Sequence, residues 1–100
     1  MIRRLIIRAE AEADITEAAL WYQKESSELA LNFIAEVHAA IRRAEQHPLA
    51  HRRLRHRPEI RRVLTARFPY RVFYVLRSDA IIVFRVLHGA RHDREWKKSV

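Results

Sequence analysis

Cysteine is absent from this chain, and glycine occurs once, at Gly89. Without cysteine there is no disulfide framework, no thiolate metal site and no thiol nucleophile, and a reducing cytoplasmic setting is the expected one. A lone glycine excludes every glycine-rich phosphate loop. No apolar run approaches the roughly 20 residues of a membrane helix, and no signal peptide is expected ahead of the first apolar run. Acidic residues are scarce in one half only. Residues 51–100 hold 4 Asp/Glu against 14 Lys/Arg, whereas residues 1–50 hold 8 against 6, so nearly all of the net charge of +8 sits C-terminally. The acids of that half (Glu59, Asp79, Asp93 and Glu95) do not cluster. Metal-dependent nuclease chemistry, which needs grouped carboxylates, is therefore disfavoured, and no metal site or cofactor is expected. A segregated basic half expects an anionic partner, either nucleic acid or an acidic protein segment.

What the chain does contain is organised around residues 60–91. Three runs rich in β-branched and aromatic residues, near 60–67, 70–77 and 80–88, are punctuated at Pro69 and at Ser78-Asp79. They predict an antiparallel three-stranded meander, because the connections are too short for a parallel crossover. Strict alternation places Tyr70, Val72, Tyr74 and Leu76 on one side and Arg71, Phe73, Val75 and Arg77 on the other. In the last run it opposes Ile82, Phe84, Val86 and His88 to Ile81, Val83, Arg85 and Leu87. One face must take helices; the other, apolar with arginines at intervals, expects something to sit on it.

Ahead of the meander, residues 3–8 form a short apolar run between arginines, a further strand. From Glu10 the period becomes helical: Ala11, Ile15, Ala18 and Tyr22 step along one stripe, with Leu20 and Trp21 alongside. No good N-cap precedes Glu10. Ser26-Ser27 offers a cap for a second helix, whose stripe is Ala30, Ile34, Val37, Ile41 and Ala44 and which Pro48 stops. The expected architecture is a single α+β domain over 1–100: an N-terminal strand, an αα-hairpin over about 10–25 and 27–46, and the meander, with the helices packed on one sheet face.

Between hairpin and meander, residues 49–59 read as an irregular, intensely basic loop. Arg52, Arg53, Arg55 and Arg57 lie there, followed by Arg61. Mutual repulsion makes such a cluster costly unless an anion relieves it, so these arginines are the candidate partner-binding set. Trp96, in a charged tail, either anchors that tail or meets the partner and is grouped with them. For acid–base work the candidate is His88, at a strand end. Metal-free RNA cleavage would need cations for the charge developing on phosphate, a role open to Arg62, Arg71 and Arg91.

The order of elements, together with Ala13-Asp14-Ile15, Pro48, Val63-Leu64, the Tyr70-Arg71-Val72-x-Tyr74 strand and the Val86-Leu87-His88-x-x-Arg91 ending, resembles the RelE/ParE toxin superfamily. These are toxins of bacterial type II toxin–antitoxin (plasmid stabilisation) systems. The resemblance implies a cognate antitoxin with an acidic segment, and a hetero-oligomeric complex. RelE-like members cut messenger RNA on the ribosome without metal. For them Arg71 matches the arginine of the Tyr-Arg motif, Arg91 the arginine after the last strand, and Arg62 stands where those enzymes carry lysine. The C-terminal tyrosine of that branch is missing here; Trp96 is the nearest aromatic, and an indole is no acid or base, which leaves His88. ParE-like members share the fold and poison DNA gyrase, and both the Pro69-Tyr70-Arg71-Val72 strand and the Val86-Leu87-His88 ending are similar to theirs. The expectation is a ParE-like gyrase poison, with the ribonuclease as the alternative. A non-toxic nucleic-acid-binding module is a second alternative: Tyr70, Phe73 and Tyr74 could stack on bases, but they sit in alternate phases among β-branched residues as core packing requires.

Overall fold

The computed structural model describes residues 3–89. In chain order it contains β1 (Arg4–Ile7), α1 (Ala9–Gln23), α2 (Ser27–Gln46), β2 (Arg52–Arg53), β3 (Ile60–Leu64), β4 (Tyr70–Leu76) and β5 (Ala80–His88). The five strands make one sheet in the order β1-β5-β4-β3-β2. β3, β4 and β5 form the expected antiparallel meander. β1 lies parallel to β5, with Arg4 opposite Ala80 and Ile7 opposite Val83. Parallel pairing is available to it because the helical hairpin and three further strands intervene before β5 arrives.

The strand-to-helix joint is abrupt. Arg8 remains extended, and its amide donates to the Val83 carbonyl at 2.9 Å while its own carbonyl accepts from the Glu12 amide at 3.0 Å. No side chain caps this end; Glu10 and Glu12 in the first turn complement the dipole instead. Ser26 does cap α2, its hydroxyl accepting from the Leu29 amide at 3.0 Å. The expected stripes are largely the buried ones: Ala11, Ile15 and Ala18 on α1, and Ala30, Val37, Ile41 and Ala44 on α2. Phe33, next to the stripe, is fully buried, whereas Ile34 is half-buried. The main core joins both helices to Val63, Val72, Tyr74, Ile81, Val83 and Val86 of the sheet.

Three expectations are corrected. β3 ends at Leu64 rather than near residue 67, because the Thr65 hydroxyl donates to the Phe68 carbonyl at 2.7 Å and closes a turn in which Arg67 takes the left-handed region at φ 68°. The basic loop is not wholly irregular: Arg52 and Arg53 form β2 against Arg62 and Arg61. The alternation of β5 breaks at a register shift, where Phe73 faces Arg85 but Tyr74 faces Val83. That bulge makes Phe84 an extra residue, so Val86 joins Val83 in the helix-side core while Phe84 and Leu87 join the far-side cluster. On that far side Ile60, Phe73, Val75, Phe84 and Leu87 are all buried, and Leu54 from the basic loop packs against them. The apolar half of the second face is thus not bare.

Candidate functional site: a basic sheet margin and a groove beside the first helix

Facing residues on paired strands share a face, which sorts the candidate side chains. Arg62 lies opposite Phe73, and Arg71 opposite both Leu64 and Leu87, on the far side. His88 lies opposite Tyr70, which packs on the helix-side core. The sheet therefore parts His88 from Arg62 and Arg71. Arg91 and Trp96 lie outside the described residues.

His88 belongs to an aromatic stack. Its ring meets the Tyr70 ring edge-on at 5.4 Å, and Tyr70 in turn meets Phe33 at 4.9 Å. Together with Val86 they wall one side of a cavity of about 500 Å³, whose other side is α1, with Asp14, Glu17, Leu20 and Trp21. Leu20 and Trp21 are 57% and 63% exposed, and the Lys24 ammonium lies 5.1 Å over the Trp21 ring. Asp14 fixes the floor. Its Oδ2 accepts from Arg85 Nε at 2.7 Å and from the Val86 amide at 2.9 Å, and its Oδ1 accepts from Arg85 Nη2 at 2.9 Å. β1 has ended by this point of β5, so the carboxylate replaces the missing strand for one backbone donor.

Arg71 reaches the other way along the chain end. Its Nη1 donates to the Gly89 carbonyl at 3.2 Å, and a Cβ at Gly89 would stand 3.3 Å from the same nitrogen. The glycine is therefore required by a close guanidinium approach, not by a phosphate loop.

The basic margin is sorted by burial. Arg61 is only 8% exposed; its Nη1 donates to the carbonyls of Leu49 at 3.2 Å and His51 at 2.8 Å. Beside it the Tyr74 hydroxyl donates to the Pro48 carbonyl at 2.6 Å, and burial pushes that hydroxyl up to about 12 against a smaller opposing pull from Arg61. His51 Nε2 bonds the Arg43 carbonyl at 3.1 Å, and Arg43 Nη2 donates to the Leu64 carbonyl at 2.8 Å. These bonds clamp the start of the loop to β3, β4 and the end of α2. Arg61, grouped with the partner-binding arginines from sequence, is a structural residue of this clamp. Arg57 pairs with Glu59 at 2.6 Å; the Glu59 backbone hydrogen bond and this guanidinium hold its carboxyl below the usual range. Arg52, Arg53 and Arg55 are exposed.

Among the described residues no three His, Cys, Asp or Glu side chains gather as a metal site, and no helix is long and apolar enough to cross a membrane. Sequence reasoning did not assign the groove: Leu20 and Trp21 were legible only as apolar residues beside the core stripe. It placed Asp14 in a motif without its partner, since Arg85 is 71 residues away.

Comparison with known proteins agrees with this architecture. No curated protein matches the sequence. The fold is similar to a solved structure described as the chromosomal ParDE TA system from P. aeruginosa, with a TM-score of 0.78, 18% identity, and coverage of 87% of this chain and 96% of that one. The profile of a family described as the ParE toxin of type II toxin–antitoxin system, parDE, matches residues 5–93. The chain belongs to the ParE toxin family of type II toxin–antitoxin systems.

Proposed function

We propose that this protein arrests growth by binding and inhibiting DNA gyrase in the cytoplasm, and that a cognate antitoxin neutralises it. The antitoxin lays an acidic, amphipathic segment over the helices and a sheet edge, with charge contacts to Arg52, Arg53 and Arg55. The observation that carries the binding mode is the separation of His88 from Arg62 and Arg71 by the sheet. A ribonuclease needs its proton donor and its phosphate-stabilising cations at one scissile group, within hydrogen-bond reach. Here the histidine is packed edge-on against Tyr70, on the helix side, while the two arginines start from the opposite face. A poison that works by surface complementarity has no such requirement.

The test is a paired assay with purified protein. DNA supercoiling by gyrase should be inhibited, while transcripts in a translating extract stay intact. His88→Gln should leave toxicity within a few-fold of the parent, because loss of a catalytic acid or base would cost about a hundredfold or more. Cut transcripts, with His88→Gln inert but folded, would establish the metal-independent ribonuclease instead.

A further inference from the structure

We propose that the outer edge of β1 accepts an extended acidic chain segment as a sixth strand of the sheet. The argument starts from hydrogen-bond parity. The amides of Arg4 and Arg8 donate inward to the carbonyls of Asp79 and Val83, at 2.8 and 2.9 Å. Backbone groups alternate direction along a strand, so the amides of Leu5 and Ile7 and the carbonyl of Leu5 point away from β5. Among the described residues β1 is the last strand on that side. An outward row of backbone donors and acceptors is a template for another backbone, which a nucleic acid does not supply.

The opposite edge is built differently. β2 is only two residues long, and beyond it the outward carbonyl of Leu64 is closed by Arg43 Nη2 at 2.8 Å. That edge is short and covered, as edges guarded against pairing usually are. At β1 the guard is charge alone, and it is of one sign. Arg3, Arg4 and Arg8 are exposed, and the Arg4–Asp79 contact is loose, at 3.7 Å between side chains 72% and 71% exposed. Arginines flanking β1 disfavour pairing with a second copy, since two such strands would bring six guanidinium groups together. They favour a strand rich in Asp and Glu. This inference rests on the toxin–antitoxin reading only for the source of that strand, the antitoxin's acidic segment.

The test uses the full chain and the product of the gene beside it. Amide hydrogen exchange at Leu5 and Ile7 should be fast in the free protein and strongly slowed in the complex. Leu5→Pro removes an outward donor and no inward one, so it should fold and bind about tenfold more weakly. Arg3→Glu combined with Arg4→Glu and Arg8→Glu provides a second variant with the same expected loss. A complex that forms with the Leu5 and Ile7 amides still exchanging freely overturns the sixth strand while leaving the toxin–antitoxin reading in place. Absence of any complex overturns both. Protection that grows with protein concentration in the free chain would identify a second copy as the occupant and overturn the acidic strand.

Discussion

The α1–β5 junction and the loop that carries β2 both present arginine, and the two regions treat it oppositely. At the junction, Arg85 is 13% exposed and meets Asp14 with two hydrogen bonds, while Asp14 also holds a backbone amide. In the loop, Arg52, Arg53 and Arg55 project into solvent. A buried charge must be paired and hydrogen-bonded or it destabilises the fold, whereas an exposed one contributes little to stability and much to long-range attraction. Arg61 stands between these cases: it lies in the basic margin yet is buried on carbonyls. Sequence position does not separate arginines that build the domain from arginines that offer it to a partner; burial and acceptors do.

The sharpest way to break the contrast is Asp14→Ala. It leaves a mostly buried guanidinium and the Val86 amide without their acceptor, and should destabilise the protein by roughly 3–5 kcal/mol. For a domain of this size that lowers the thermal midpoint by about 12 °C or more, readable by circular dichroism.

A smaller effect is expected at the clamp. Tyr74→Phe removes the bond to the Pro48 carbonyl and should cost about 1–2 kcal/mol in denaturant unfolding. It also carries a pH signature. The hydroxyl is raised from 10.0 to about 12 in the folded protein, so its contribution is complete below pH 10 and is lost as pH rises from 10 towards 12. The parent should therefore lose stability across that window more steeply than Tyr74→Phe.

The smallest stability effect belongs to the exposed set. Arg52→Ala, Arg53→Ala and Arg55→Ala together should change stability by no more than about 0.5 kcal/mol per site. Their effect should appear in the complex, as a slower association with the antitoxin and a weaker dependence of its rate on salt. A triple variant that unfolds the protein would erase the distinction between the two regions.

How much of this was legible in the chain depends on which physics is local. Apolar periods of two and of three to four residues are local, so the meander, the hairpin and the single α+β domain were readable from 60–91, 11–22 and 30–44. The Ser26 cap and the stop at Pro48 were readable for the same reason. The bulge at Phe84 was not, because an inserted strand residue leaves the composition unchanged and shifts only the phase of the residues beyond it. Nor was the two-residue β2, whose pairing depends on β3 and not on its own propensity.

By itself, then, the sequence determined the fold class, the segregation of positive charge and the family-like order of motifs, all of which depend on neighbours along the chain. Only the tertiary structure decided which arginine is buried, which face His88 occupies and which edge of the sheet stays open. Those depend on contacts such as Asp14–Arg85 and Tyr74–Pro48, between residues 71 and 26 positions apart, where no local pattern records the partner.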